Sequence, residues 1–267
     1  MSKVVLVTGA SSGIGKSIAT FLKEKGYTVY GTSRNPKNLE NFSFQLITLD
    51  VLKVETINKA VDLIIEKEGK LDVLVNNAGM GITGPVEDTP TDEMRAVFNT
   101  NLFGAIDVMK AVLPQMRKQK SGTIINVTSI AGYMGLPFRA VYSASKGALE
   151  LVTEATSMEV KNFGIKVVNV APGDFATNIA AGRYHTPVFE NSAYKENYQA
   201  SLDLMDAHVD HGMDPIEMAK KVYEIINYKN PKIHYKVGDF MQKFSIVLKR
   251  ILPDKMYQKL LMNHYKL

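Results

Sequence analysis

Residues 4–15 read Val-Val-Leu-Val-Thr-Gly-Ala-Ser-Ser-Gly-Ile-Gly, and this stretch decides the fold. The apolar run from Lys3 to Val7 predicts a buried strand, and apolar residues at helical spacing from Ile18 to Leu22 predict a helix directly after the glycines. A glycine-rich turn between a strand and a helix brings backbone N–H groups and a helix N-terminus to one point, which forms an anion site. The stretch therefore predicts an α/β fold built around the phosphates of a dinucleotide.

The glycine-rich turn has a second interpretation, in which its glycines serve only to turn the chain. The strand before it and the helix after it favour the phosphate site. Gly9, Gly13 and Gly15 permit close approach of a pyrophosphate, and the hydroxyls of Ser11 and Ser12 can donate to phosphate oxygens.

The predicted second strand, Thr28 to Thr32, indicates which dinucleotide is bound. In dinucleotide folds an acid near this point holds the adenosine ribose hydroxyls and excludes a 2′-phosphate. Here the strand is followed by Ser33 and Arg34, which can hydrogen-bond and pair with a phosphate. We therefore expect NADP(H) rather than NAD(H); the alternative is that Arg34 is a solvated loop cation.

Two further predicted strands end in residues that suit a flat ligand. Phe44 to Leu49 is followed by Asp50 and Val51, where the acid can accept from an adenine amino group or cap the next helix. Leu71 to Val75 is followed by Asn-Asn-Ala-Gly at 76–79, whose small side chains allow close approach to the backbone. Both strand ends are therefore candidate cofactor contacts.

A hydroxyl, a phenol and an ammonium follow in fixed order as Ser129, Tyr142 and Lys146. Apolar spacing predicts a helix from Val141 to Asn162, so Tyr142 and Lys146, four residues apart, leave the same face. A free phenol ionises near pH 10, and an ammonium beside it favours the phenolate, which suits proton transfer at neutral pH. Taken alone the pair is a weak signal, because a Tyr on an amphipathic helix is more often a packing residue.

Composition narrows the class of protein. A chain of 267 residues with 45% hydrophobic content can bury one large core, and the absence of cysteine excludes disulfides and thiolate metal sites. The N-terminal apolar run is too short for a signal peptide and no run of 18 apolar residues occurs, so we expect a cytoplasmic protein. His208 and His211 are three apart but lack further nearby ligands, so we expect no metal.

The net charge of +5 is unevenly placed. Residues 229–267 carry nine Lys and Arg against two Asp and Glu, a net charge of +7, which leaves −2 for residues 1–228. The body of the protein has no basic patch interleaved with aromatics, so we expect no nucleic-acid binding.

Together these motifs resemble those of the short-chain dehydrogenase/reductase family over about Lys3 to Val237. The resemblance rests on the glycine-rich turn, Asn-Asn-Ala-Gly at 76–79, Ser129, Tyr142 with Lys146, and Pro-Gly at 172–173. It implies a single-domain Rossmann fold, a doubly wound seven-stranded parallel sheet, and NAD(P)-dependent interconversion of a carbonyl and an alcohol. The Ser-Arg pair at 33–34 and the long tail also resemble the hydroxysteroid-dehydrogenase-like branch.

The resemblance also implies a role for each residue of the site. Tyr142 would be the general acid/base, Ser129 would polarise the substrate carbonyl, Lys146 would assist Tyr142 and hold the nicotinamide ribose, and Asn101 would keep a water in the proton relay. The implied cofactor contacts are Gly9, Ser11, Ser12, Gly13, Ile14, Gly15, Ser33, Arg34, Asp50, Val51, Asn77, Ala78, Gly79, Tyr142, Lys146, Pro172, Gly173, Phe175 and Thr177. No motif position carries an incompatible residue, so we expect an enzyme; the alternative is a catalytically silent NADP(H)-binding regulator.

Residues 174–213 are predicted to form a lid over the substrate. The segment has few charges and is rich in aromatic and aliphatic residues, so it predicts a lipophilic ketone or alcohol, such as a steroid or a long-chain keto compound. The alternative is that these residues pack against a partner subunit, since the resemblance implies a homodimer or homotetramer. The residues concerned are Tyr184, His185, Phe189, Tyr194, Tyr198, Leu202, Leu204 and Met205.

Residues 239–267 are predicted to extend the domain formed by residues 1–238 with two amphipathic helices, separated near Pro253. We expect the helices to pack on the body with basic outer faces and to shape the pocket entrance. The alternative is contact with an anionic membrane surface. The apolar positions are Phe240, Met241, Phe244, Val247, Leu248 and Ile251, then Met256, Tyr257, Leu260, Leu261 and His264.

Overall fold

A computed structural model describes residues 2–36, 41–175, 182–210 and 212–267, the side chains of 206–210 excepted. Seven parallel strands form one sheet in the order β3-β2-β1-β4-β6-β7-β9, and a small two-stranded sheet pairs β5 with β8. The strands are β1 (Val4–Val7), β2 (Thr28–Ser33), β3 (Gln45–Thr48), β4 (Val73–Asn76), β5 (Ile82–Thr83), β6 (Gly122–Val127), β7 (Ile165–Pro172), β8 (Tyr184–His185) and β9 (His234–Val237). The predicted doubly wound sheet is confirmed.

Nine α-helices lie within the described ranges. They are α1 (Gly13–Glu24), α2 (Val54–Glu68), α3 (Thr91–Phe98), α4 (Ala105–Gln119), α5 (Ala140–Glu159), α6 (Lys195–Asp210), α7 (Ile216–Asn227), α8 (Phe240–Ile251) and α9 (Asp254–Tyr265). The last two form the predicted C-terminal helical extension.

The central strands explain why helices cover both faces of the sheet. In β1, Val5 and Val7 pack into a core shared with α1 and α7, whereas Val4 and Leu6 pack into a second core shared with α2 and α4. Successive side chains of a strand point to opposite faces, so a fully apolar strand must be covered on both sides. The strand order reverses between β1 and β4, which places a crevice at their carboxyl ends, where open α/β sheets bind ligands.

The long helical segment from Thr91 to Gln119 is interrupted. A π-helical segment, Asn99–Gly104, separates α3 from α4 and contains Asn101. By length and mean hydropathy the whole segment Thr91–Gln119 meets the criteria for a membrane-crossing helix, as core helices also do. Val108 and Met116 are buried against the sheet, so it belongs to the helix layer.

The predicted end of the helix that carries Tyr142 also needs correction. Helix α5 ends at Glu159, three residues before the expected Asn162. A short 3₁₀ turn follows and leads to Gly164, whose φ of +71° is the left-handed conformation that glycine tolerates best.

Candidate active site

The glycine-rich turn adopts the conformation that the sequence predicts. Gly9 and Gly13 have φ angles of +64° and +55°. A Cβ added at Gly15 would collide with the Gly9 carbonyl oxygen and with Nδ2 of Asn77, so no larger residue fits there. Ser12 precedes α1 without using its hydroxyl as a cap, which leaves that hydroxyl at the helix N-terminus. The backbone cradle therefore fits the pyrophosphate of a dinucleotide.

Thr8 joins this turn to the end of β4. Its hydroxyl oxygen accepts from the backbone N–H groups of Asn77 (2.9 Å) and Ala78 (3.0 Å). In return Asn77 Nδ2 donates to the carbonyl oxygens of Thr8 (3.0 Å) and Gly9 (3.1 Å). The two strand ends that were predicted to contact the cofactor are thus held together, and Thr8 is a positioning residue that the motif contained without a stated role.

The residues predicted to bind the adenosine end of the cofactor are half-buried or exposed. Ser33 is half-buried at the end of β2 and Arg34 beside it is exposed. Asp50 accepts from the N–H of Leu52 (3.1 Å), and Lys53 is the N-cap of α2, so the prediction that Asp50 caps this helix is wrong. The adenine contact of Asp50 stays a prediction.

Asn101 and Lys146 meet beside Gly79. A Cβ built on Gly79 would lie 3.1 Å from Asn101 Oδ1 and 3.3 Å from Lys146 Nζ. The Asn101 amide accepts from Met80 N (2.8 Å) and donates to Met80 O (2.9 Å) and Ser145 Oγ (3.1 Å). Both hydrogens of its amide nitrogen are therefore used within the protein, whereas Oδ1 can accept one further hydrogen bond.

Lys146 is buried, with a side chain 5% exposed, and its Nζ donates to the carbonyl oxygen of Val127 (3.0 Å). Burial lowers the pKa of the Lys146 ammonium, and the nearby Tyr142 side chain partly offsets this. The two side chains are therefore close enough to interact, four positions apart on α5, and the assistance of Lys146 to proton transfer by Tyr142 stays a prediction.

Ser129 follows β6 and its hydroxyl accepts from the N–H of Ala131 (3.2 Å), which leaves its own hydrogen available to a ligand. Tyr142 is half-buried, and the guanidinium of Arg139 lies 5.1 Å from the centre of its ring. Both Ser129 and Tyr142 line one cavity of about 630 Å³. This volume is in the range of small-molecule sites.

The cavity is bounded by several parts of the chain. The predicted site residues that line it are the catalytic candidates Ser129 and Tyr142 and the cofactor contacts Ile14, Pro172, Gly173 and Phe175. The rest of its lining comes from the loop before α5, from the lid and from the C-terminal helices, and comprises Ile130, Ala131, Met134, Leu136, Arg139, Asp174, Arg183, Leu204, Met205, Gly212, Met213, Asp239, Met241, Gln242, Ser245, Leu248, Tyr257, Leu260, Leu261, His264 and Tyr265. Thr177 lies outside the described residues, as do the side chain of His208 and all of His211.

Of the eight predicted lid residues, only Leu204 and Met205 line the cavity. The buried Tyr198 instead donates to the carbonyl oxygen of Thr83 (3.0 Å), and His185 Nδ1 lies 3.2 Å from the Thr83 hydroxyl. These side chains therefore anchor the lid to β5, because a buried phenol needs a hydrogen-bond partner. The aromatic content of the lid was a weak guide to which residues line the cavity.

Gln242 of α8 fastens the C-terminal helices to the loop after β7. Its Nε2 donates to Oδ2 of Asp174 (2.7 Å), and its Oε1 accepts from Asp174 N (3.3 Å). A Cβ on Gly173 would collide with the Gln242 amide, which shows how closely the helix approaches this loop. No sequence signal singled out Gln242, because a polar residue on a predicted outer helix is normally solvated.

A buried carboxyl lies one helical turn beyond Lys146. The Thr128 hydroxyl donates to Glu150 (3.0 Å), and Glu150 is 6% exposed. Burial raises the pKa of Glu150 to about 7, and hydrogen bonds from Thr128 and Tyr133 partly oppose this shift. This carboxyl was not predicted, because nothing distinguishes a buried Glu in an amphipathic helix from an exposed one.

Comparison with known proteins agrees with this geometry. A sequence model described as short chain dehydrogenase matches residues 3–187. The chain is 42% identical to the 3-ketodihydrosphingosine reductase of Bacteroides thetaiotaomicron over 96% of this chain and 95% of that protein.

Solved structures give the same result. A short-chain dehydrogenase from Streptomyces avermitilis superposes with a TM-score of 0.84 at 32% identity, over 100% of this chain and 96% of the other. ElxO, solved with NADP bound, gives a TM-score of 0.71 at 30% identity over 89% and 97% of the two chains. The protein therefore belongs to the short-chain dehydrogenase/reductase family.

Proposed function

We propose that this protein is an NADP(H)-dependent oxidoreductase that interconverts a ketone and a secondary alcohol on a long-chain lipid. The observation that carries the proposal is that Ser129 and Tyr142 line one cavity, most of whose other lining side chains are apolar. Met134, Leu248 and Leu261 are among the side chains that an aliphatic tail would contact.

Two of the three similar proteins support the finer parts of the proposal. The Bacteroides relative is a reductase of 3-ketodihydrosphingosine, which favours a long-chain 3-keto compound over a steroid as the substrate. ElxO binds NADP, which agrees with the Ser33 and Arg34 pair at the end of β2. Arg34 is exposed at the carboxyl edge of the sheet, where it can pair with a 2′-phosphate.

The residues of the site have distinct roles in this reaction. When bound, NADPH supplies the hydride. The Ser129 hydroxyl donates to the carbonyl oxygen and holds it, and Tyr142 gives its phenolic proton to that oxygen as the alcohol forms. Lys146 stabilises the phenolate that remains, until a proton returns from solvent.

The test is NADPH oxidation, with NADH in parallel, across a panel of long-chain 3-keto compounds, steroid ketones and short soluble ketones. We expect NADPH-dependent turnover that is fastest with long-chain keto compounds. Tyr142→Phe should lose on the order of 10³-fold in kcat while still binding NADPH, because it removes only the proton donor.

Three outcomes would contradict parts of this proposal. Faster turnover of steroid ketones than of long-chain keto compounds would refute the long-chain substrate. Faster turnover with NADH than with NADPH would refute the pairing of Arg34 with a 2′-phosphate. Tight binding of NADPH without consumption by any ketone would favour the silent regulator, and Tyr142→Phe would then behave as the parent protein does.

A further inference from the structure

The outer face of α8 is apolar, which differs from the basic outer face that the sequence predicted. Phe240, Phe244, Val247 and Ile251 form one stripe, and the exposed fractions of Phe240 and Ile251 are 73% and 68%. The rings of Phe240 and Phe244 stack with their centres 5.6 Å apart. Exposed apolar patches of this kind mark interaction sites in soluble proteins.

The opposite face of the same helix is fixed to the body. Gln242 bonds to Asp174, and Ile246 is 1% exposed in a small core with Tyr257. Residues 242 and 246 lie on the side of the helix away from the stripe, because successive residues are about 100° apart around the axis. The stripe therefore cannot turn inward without breaking these contacts.

The stripe leads into the cavity that contains Ser129 and Tyr142. Met241 of α8 and Leu260 of α9 line that cavity, yet the first is 66% and the second 48% exposed. Leu248 continues the lining further in. An apolar path thus runs from the outer surface to the candidate active site.

Cations border this apolar surface. Lys243 and Arg250 flank the stripe on α8, and Lys255 and Lys259 are exposed on α9. They belong to residues 229–267, which carry a net charge of +7, in contrast to the −2 of the remaining chain. Apolar side chains with a basic border are the pattern of helices that lie in the surface of anionic lipid.

We propose that the outward face of α8 and the adjoining part of α9 dock the protein on the surface of an anionic lipid bilayer, with the cavity mouth at the interface. A second copy of the chain fits this surface less well. In a two-fold contact the surface would meet itself and bring Lys243 and Arg250 toward the same cations of the other copy. Docking requires no turnover, so it stands or falls independently of the proposed function.

The test is sedimentation of the full-length protein with vesicles of equal parts phosphatidylglycerol and phosphatidylcholine, at low salt. We expect binding that weakens at least tenfold in Phe240→Ser/Ile251→Ser and falls as salt is added. Phe163→Ser is the matched control, since Phe163 is 41% exposed just before β7, at the amino ends of the parallel strands, whereas α8 follows the carboxyl end of β9. It should bind as the parent protein does.

Thermal melting and NADPH binding establish that each variant is folded. Should the double serine variant not fold, Lys243→Gln/Arg250→Gln replaces it, and we expect that variant to lose the salt-dependent part of binding. The proposal is overturned if the parent protein stays in the supernatant, or if folded stripe variants bind vesicles as the parent does. It is also overturned if light scattering without lipid shows an oligomer that only the stripe variants dissociate, because the surface is then a subunit interface.

Discussion

Two parts of the chain beside the cavity are held in place in different ways. The part that carries Tyr142 and Lys146, here called the catalytic wall, is fixed by hydrogen bonds, among them those from Lys146 to Val127 and between Asn101 and Met80. The part formed by α8 and α9, here called the tail wall, is held by apolar packing around Ile246 and by the amide of Gln242. The comparison suggests that the first wall sets the chemistry and the second sets which molecules reach it, since sites rather than folds determine function.

The largest effect should come from the catalytic wall. We expect Lys146→Met to lower kcat by about 10²- to 10⁴-fold, because the negative charge that Tyr142 carries once it has given up its proton then lacks a neighbouring cation. Steady-state kinetics, with NADPH binding measured on the same variant, checks this, and the exposed Lys259→Met serves as the control.

A purely structural role for Lys146 would give a different result. The variant would then lose NADPH binding and thermal stability together with its activity. Such an outcome would mean that Lys146 holds the structure together rather than assisting Tyr142, and the two walls would then not differ in role.

A smaller effect is expected from the tail wall. Gln242→Ala removes both bonds to Asp174 and should lower kcat/KM for a long-chain ketone about tenfold, mainly through KM, because the α8 wall loosens over the substrate. Turnover of a short soluble ketone should change little. Steady-state kinetics with both substrates measures the difference.

Gln258→Ala is the matched control, since Gln258 is exposed on α9. Equal losses on long and short substrates in Gln242→Ala would contradict the assignment of substrate choice to the tail wall. They would indicate instead that Gln242 positions the loop at Gly173 for catalysis.

The two walls also differ in how far they could be predicted. Tyr142, Lys146 and the glycine-rich turn were predictable because their geometry is local: four residues make one helical turn, and parallel strands end at one edge of a sheet. The orientation of α8 was not, because it depends on contacts distant in sequence. Gly173 and Gly238 let the helix approach closely, and a Cβ on either would press against the Gln242 amide.

The lid shows the same limit. Its apolar composition correctly indicated a segment beside an apolar cavity, and Leu204 and Met205 are there. Composition cannot tell which apolar residues face a ligand and which face the body, and Tyr198 faces the body because its hydroxyl has a partner at Thr83. The π-helical segment around Asn101 could not be predicted for a similar reason, since such a segment has no distinct apolar spacing.

The last expected effect concerns the stability of the catalytic wall rather than turnover. Glu150 has a pKa raised to about 7 in the folded protein, from an ordinary value of 4.5, so the folded state keeps a proton that the unfolded state releases between these values. The free energy of unfolding therefore falls as pH rises through this window, by up to about 3 kcal/mol, and stays level above it. Tyr133, Glu154 and Lys236 are the charged or titratable groups that also act on this carboxyl.

Glu150→Gln should remove this dependence while still accepting a hydrogen bond from Thr128. We expect the variant to match the parent protein near pH 5 and to be more stable by about 1 to 3 kcal/mol at pH 8, as measured by urea denaturation at both pH values. Glu159→Gln, at the exposed end of α5, controls for the loss of one negative charge. If parent and variant lose stability in parallel as pH rises, ionisation of Glu150 does not lower the free energy of unfolding. The stability of the catalytic wall then does not depend on a buried neutral carboxyl.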